Sequence, residues 1–314
     1  MKRYRLSVPV AVLAGTLVTV AAMVWFSSLL LVCPGIAFTG MLLLGSDEVI
    51  ERMQRWIDAS RLRVASIPAS LWFLYVIYAA GRGIVSLAAA MTMAVYLSVP
   101  FVVLGLWRKA EPLVILWIWL PLEFGIVRQI LITRTPGADL HYAFAQLLAI
   151  VSGISAFAVW NHTPEIGYRF EWDREIVRTG LSNFLFFALI AIPLGFAIHF
   201  IHYGFALRKL YTCLPVFAGI FLFTALPEEF LFRGLIQNWI QRVTRKRALS
   251  LLIASVIFGA SHLNNGPPIP NYRYFLMASI AGVFYGRAWR NTGSLMASSL
   301  THALVDTVWS VVFR

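Results

Sequence analysis

The sequence predicts an all-α protein, a polytopic bundle of about eight or nine transmembrane helices. Three observations lead there. Of the 314 residues, 60% are hydrophobic and 13% charged, where a soluble domain carries about 25% charged residues. Mean hydropathy is +0.76. Apolar stretches recur at 7–32, 68–81, 84–107, 113–133, 141–161, 183–203, 211–227, 248–262, 272–289 and 294–313. Crossing the hydrocarbon core takes about 20 apolar residues, and the flanks lengthen several of the shorter runs to that size.

The first run follows the basic tip Lys2, Arg3 and Arg5. It is longer than a signal-peptide core and is closed by no small-residue cleavage site. The expectation is an uncleaved first helix with its N-terminus in the cytoplasm. Two polar segments interrupt the series. In Asp47 to Arg63, Val49, Ile50, Met53, Trp56 and Ile57 fall on one helical face, away from Arg52, Arg55 and Arg61. That is the pattern of a helix lying in the membrane interface, with an ordinary solvated loop as the alternative. Thr163 to Ser182 mixes Tyr168, Phe170 and Trp172 with acids and Arg174, and reads as an interfacial linker or a solvated loop. The chain is therefore divided into an N-terminal membrane region, 1–182, and a C-terminal core, 183–314.

Formal net charge is +12, from 26 Lys and Arg against 14 Asp and Glu. No aromatic-interleaved basic module or zinc-finger spacing accompanies it, so the expected partner is the lipid bilayer and not nucleic acid. Basic clusters at Arg208-Lys209 and at Arg242, Arg245, Lys246 and Arg247 both ask for the cytoplasm yet flank what reads as one crossing. Either that segment is re-entrant or one cluster departs from the rule. Cys33 and Cys213 sit in apolar stretches and match neither a disulfide framework nor a metal spacing. Ala278, Gly282 and Gly286 form a small-residue stripe that lets two membrane helices approach closely.

Ionisable residues near a bilayer centre cost about 2.5–3.5 kcal/mol each, so their concentration in the C-terminal third calls for a reason. Glu229 and Arg233 are at i, i+4 with the acid first, the favourable order for an ion pair. Glu228 points about 100° away and is left for another task. Pro227 suits the first turn of a helix, where the acids would meet the positive end of the dipole. His262 closes an apolar helix before the turn-rich Asn264 to Pro268, and His302 and Asp306 form a second i, i+4 pair. A carboxylate, two imidazoles and an acid on three neighbouring helices suit activation of a water and stabilisation of an oxyanion, the needs of peptide hydrolysis.

In order, Glu-Glu-x-x-x-Arg, Phe-x-x-x-His and His-x-x-x-Asn/Asp resemble the motifs of the Abi or CPBP family. That family includes the type II CAAX prenyl proteases and bacterial bacteriocin-processing and immunity proteins. The matching positions are Glu228, Glu229 and Arg233, then Phe258 and His262, then His302 and Asp306, with Arg290 to Leu295 similar to the lead-in of the last motif. The resemblance covers about 183–313 and implies a glutamic-type intramembrane endopeptidase in a bacterial inner membrane, acting on a membrane-associated protein or peptide. It implies that Glu228, helped by His262, deprotonates a water, that Glu229 and Arg233 fix the base, and that His302 with position 306 stabilises the oxyanion. The CAAX proteases carry Asn at that last position, and an ionised Asp only accepts hydrogen bonds.

No His-Glu-x-x-His and no Gly-x-Ser-x-Gly is present. Glu228, His262 and His302 have the composition of a His2Glu metal set, but the resemblance implies a site without metal or cofactor. The competing reading is a transporter or an immunity-type scaffold, with Glu123, Arg128, His199 and His202 lining a polar pathway.

Overall fold

The computed structural model describes residues 4–127, 138–205 and 207–313. Its contacts divide the chain into two compact units, Arg5–Pro164 and Glu165–Arg314, the latter also taking in Tyr4. Both are helical, and the architecture is that of an integral membrane protein. Among the described residues seven helices are long and apolar enough to cross a membrane, or eight if the bent pair Leu29–Leu43 and Asp47–Asp58 forms one span.

The N-terminal unit contains α1 (Val8–Trp25), α2 (Val32–Leu43), α3 (Asp47–Asp58), α4 (Ser66–Gly81), α5 (Leu87–Leu106), α6 (Glu111–Glu123) and α7 (Ala138–Ile154). The first apolar run breaks at Ser27, whose φ is +48°, and α2 starts a second helix that hydropathy did not separate. Helices α1 and α2 approach through a reciprocal arrangement. Thr19 fills the space over Gly35, Thr39 fills that over Gly15, and each hydroxyl donates to a carbonyl of its own helix. The amphipathic helix expected after Asp47 is α3, bent 97° from α2 and bearing the pairs Glu48–Arg52 and Glu51–Arg55, with Ile57 buried. Arg128 lies outside the described residues.

The C-terminal unit contains α8 (Arg174–Ala197), α9 (Lys209–Thr244), α10 (Arg247–Ala260), α11 (Tyr272–Thr292) and α12 (Leu295–Val312). The segment read as an interfacial linker or solvated loop is ordered and packed on the C-terminal unit. Its second half is the start of α8, capped by Asp173 Oδ1 accepting from Ile176 N at 2.8 Å. Its first half is packed inside: Ile166, Tyr168 and Phe170 are buried, Ile166 O accepts from Trp289 Nε1, and Gly167 O accepts from Leu295 N. The backbone of Ile166 and Gly167 ties the segment to the α11–α12 turn, while Tyr168 packs edge-on against Phe170 and Phe230 and Trp172 packs on Phe221 of α9.

Helix α9 carries the largest departure from expectation. It is one unbroken helix of 36 residues, about 54 Å at 1.5 Å per residue. Pro227 therefore lies mid-helix and not in a first turn. A mid-helix proline deletes one donor and crowds the carbonyl a turn earlier. The preceding residues Phe221–Ala225 are wound as π-helix, whose wider turn relieves that crowding, and Phe230–Gln237 are π-helical again. The two basic clusters thus stand at opposite ends of one helix, which disposes of the re-entrant alternative. The apolar runs at 248–262 and 272–289 add no full span. Helix α10 has 14 residues, about 21 Å, and α11 carries Arg273, Arg287 and Arg290.

Helix α11 is the centre of this unit and packs on α8, α10 and α12. The small-residue stripe makes the α10 contact possible. A Cβ on Gly282 would stand 3.0 Å from Ser255 Cα, and one on Gly286 would strike Gln237 and Leu251. Opposite them, Gly259 of α10 admits Ser279. We expect Gly282→Val to destabilise the protein by about 1–3 kcal/mol, the usual cost of overpacking against a backbone. Gly219→Ala, with open space at its Cβ, should change little. Thermal unfolding of the detergent-solubilised variants checks both, and equal midpoints would remove the close-packing argument.

Candidate active site

Helix α9 brings Glu228 and Glu229 to its middle, about 28 Å from Lys209 and about 24 Å from Thr244 by helical rise. Glu229 and Arg233 are both fully buried. Arg233 Nε lies 3.1 Å from Glu229 Oε2, and its Nη2 donates to Gly282 O at 3.0 Å. The guanidinium lies over the rings of Phe258 at 4.6 Å and Tyr285 at 5.4 Å. Gln237, one turn on, donates to Gly286 O at 3.3 Å. The glycines that admit α10 therefore also expose the carbonyls to which α9 is tied.

Helix α12 enters from Gly293, at φ +67°, and from Ser294, whose hydroxyl accepts from Met296 N. That start places His302 against α9. Its Nδ1 is 2.9 Å from Glu229 Oε1, and its Nε2 is 3.4 Å from Asp306 Oδ2 and 3.9 Å from Glu228 Oε2. Tyr285 stacks on the imidazole with ring centroids 4.4 Å apart and planes 16° from parallel, and Phe258 meets it edge-on at 5.7 Å. An imidazole with a carboxylate at each nitrogen is fixed in place and, when protonated, donates to both.

His262 comes from the end of α10. Its Nδ1 is 2.8 Å from Phe258 O and 3.1 Å from Ser261 Oγ. A carbonyl only accepts, so Nδ1 carries the hydrogen and the neutral ring presents Nε2 as an acceptor. Phe258 and Tyr274 hold the ring, each with its centroid 4.8 Å away.

Glu228, His262, His302 and Asp306 line one cavity of about 270 Å³ within the C-terminal unit. Oxygen Oε2 of Glu228 is buried, while about a third (34%) of its side chain is accessible. Glu229 and Arg233 stand behind the wall. The i, i+4 spacings thus correspond to contacts, and all six expected residues fall in one region. Among the described residues, no three His, Cys, Asp or Glu are arranged to hold a metal ion. His199 and His202 are exposed at the end of α8, and Glu123 accepts a hydrogen bond from Trp119.

Sequence reasoning did not find Thr224, Asn265, Tyr274 and Tyr285, which also line the cavity. Tyr285 left a signal, since it stands between Gly282 and Gly286 on the helix that joins two motifs. The others left none, because no local period marks a residue that meets the site across helices.

The buried pair yields a stability test. Breaking a buried ion pair from one side strands a charge, at a cost of about 3–5 kcal/mol. Arg233→Met should therefore lower both membrane accumulation and the unfolding midpoint, and adding Glu229→Gln should restore part of the loss. A double-mutant cycle on midpoints reads the coupling, and strict additivity would mean that the pair does not hold α9.

No curated protein and no solved structure matches the chain significantly. Its C-terminal core does match a known family, a family of proteases, over the stretch that carries all three motifs. Residues 209–308, about a third of the chain, match the model of a family described as type II CAAX prenyl endopeptidase Rce1-like.

Proposed function

We propose that the protein is a glutamic-type intramembrane endopeptidase that hydrolyses a peptide bond in a membrane-associated protein or peptide. One observation carries the reading: an accessible carboxylate, Glu228, and an imidazole acceptor, His262, line the same cavity halfway along α9. The depth supports a site inside the hydrocarbon layer, which is about 30 Å thick. The walls include Phe184, Phe187, Ile192, Met277 and Val308, so the cavity suits an apolar stretch of chain.

In this mechanism Glu228 takes one proton from a water that His262 Nε2 orients by accepting its second hydrogen. The hydroxide oxygen bonds to the scissile carbon, and the carbonyl π pair moves to oxygen. When that oxyanion collapses, the carbon–nitrogen bond breaks. Glu228 returns its proton to the leaving nitrogen, giving an amine and a new C-terminal carboxyl group. Glu229, bonded to both Arg233 and His302, holds α9 and α12 in register behind the base. The family's name makes a farnesylated CAAX peptide the first probe.

Glu228→Gln and His262→Ala should each lower cleavage about 10²–10⁴-fold while the protein still accumulates in the membrane. The check is the release of new C-termini from total membrane protein by proteoliposomes of each variant, alongside the farnesylated peptide. Near-normal turnover by either variant would sink the mechanism.

Position 306 gives a separate test. Asp306 Oδ2 lies 3.4 Å from His302 Nε2, within reach to accept when the ring turns, and the carbonyl of Asn could accept from the same place. Asp306→Asn should retain measurable turnover, while Asp306→Ala, which orients nothing, should lose far more. Equal rates in the two variants would show that accepting from His302 is not what position 306 contributes.

A further inference from the structure

Charge is balanced along α3 and unbalanced beyond it. On α3, Arg52 and Arg55 each face an acid one turn earlier, and Arg5 lies 3.5 Å from Asp47. Arg61 and Arg63, on the 3₁₀ turn Arg61–Ala65, are exposed, as are Arg108 and Lys109 just past the end of α5. None of these four has a carboxylate partner among the described residues. The acids next in the chain are engaged elsewhere. Asp58 faces His162 at 3.6 Å, and Glu111 is buried and accepts from Asn161 and Thr163.

The four cations belong to one end of the N-terminal unit. Residues 158–162 tie that end together, with Ala158 O accepting from Gln54 of α3 and Asn161 O accepting from Arg108. Arg63 is already held, its Nη1 donating to Trp56 O at 3.0 Å and its guanidinium 5.5 Å from the Trp56 ring centre. Trp56 and Trp107 are exposed beside these charges, and exposed tryptophan at the end of a span marks the headgroup level. An apolar groove of about 460 Å³ starts at the same end. Val64 and Ala65 in its wall follow Arg63 directly, and Val102 lies about 6 Å before the end of α5 by helical rise. The groove runs between α4 and α5 as far as Trp72, whose indole hydrogen is spent on Ala90 O. Ala65, Ala69 and Val102 are exposed, so it opens outward.

We propose that this groove binds one anionic phospholipid, with an acyl chain between α4 and α5 and the phosphate among Arg61, Arg63, Arg108 and Lys109. The site is independent of the hydrolase reading. A lipid tail is as apolar as the groove around it, so the tail supplies fit and not preference. Preference comes from the headgroup, where each Lys or Arg adds about fivefold to the binding of an anionic lipid. A zwitterionic headgroup brings a cation of its own to the same place and gains far less.

The test is native mass spectrometry of the full chain in detergent, titrated with phosphatidylglycerol or with phosphatidylcholine of the same acyl chains. The parent protein should hold one phosphatidylglycerol at least about tenfold more tightly than phosphatidylcholine. Added salt should weaken only the first. Arg61→Gln and Lys109→Gln should each lower phosphatidylglycerol affinity about fivefold and leave phosphatidylcholine unchanged. Ala69→Phe, which fills the groove, should remove the tight site with all four cations in place. Arg52→Gln, at a paired cation, should match the parent. All four positions are exposed, so the variants should accumulate as the parent does, and the parent's own comparison of lipids needs no variant. Equal retention of the two lipids by the parent would overturn the proposal. So would a phosphatidylglycerol preference that survives in Ala69→Phe, because the cations would then act on the lipid surface at large and not through the groove.

Discussion

The C-terminal unit depends on one buried ion pair. Arg233 has no exposure and Glu229 has none, yet between them they touch three other elements: Gly282 of α11, Phe258 of α10 and His302 of α12. A charge so placed is affordable only with its partners in position, because the unpaired ion costs several kcal/mol in a low-dielectric interior. The pair therefore selects a single arrangement of four helices. Depth matters as well, since a buried cation in a membrane protein must find its hydrogen-bond acceptors inside the bundle. Arg233 finds a carboxylate and a backbone carbonyl, with two aromatic faces for the rest of its surface.

Two backbone features bring that pair to the cavity. The first is the glycine stripe of α11, which lets α10 come within side-chain-free distance and leaves Gly282 O and Gly286 O open to α9. The second is the π-helical winding on either side of Pro227 and Glu228. Widened turns of this kind recur at functional sites, where they re-aim side chains without ending the helix. Here they let a proline sit directly before the two acids in an otherwise continuous span. A strictly α-helical α9 would have to kink at that point.

Much of the site was legible because helical spacing is local. Glu229 with Arg233, and His302 with Asp306, were written as i, i+4 pairs in the sequence and are contacts in the fold. The amphipathic stretch after Asp47 was equally plain, because its period is that of the helix it forms. What stayed hidden depends on long-range packing. Pro227 reads as a helix start when only its neighbours are known, and its place in mid-helix follows from winding that no propensity reports. Residues 165–182 look polar enough for a membrane surface, yet Ile166 and Gly167 are committed to Trp289 and Leu295 more than 120 residues away. Helix α2 was hidden for a simpler reason. Hydropathy does not register a chain reversal made by Ser27 and Ser28 between two apolar segments.

The carboxylate at position 306 ties these threads together. Asn there has both a donor and an acceptor, so it can serve an oxyanion directly. Asp gives up the donor and gains a charge, and the structure answers that exchange at His302. With Glu229 on Nδ1 and Asp306 on Nε2, the imidazole becomes the bridge of a chain running from Arg233 to the cavity edge. Three carboxylates, Glu228, Glu229 and Asp306, then stand around one ring. A fixed cation, Arg233, and an imidazole able to donate from both nitrogens are what make such a cluster tolerable inside a membrane bundle. The same arrangement leaves Glu228 as the carboxylate with the loosest hold on the ring, at 3.9 Å, and with part of its side chain open to the cavity. A base must be free to exchange its proton with a water, and Glu229, buried between Arg233 and His302, is not. The division of labour between the two adjacent glutamates thus follows from how many partners each one has.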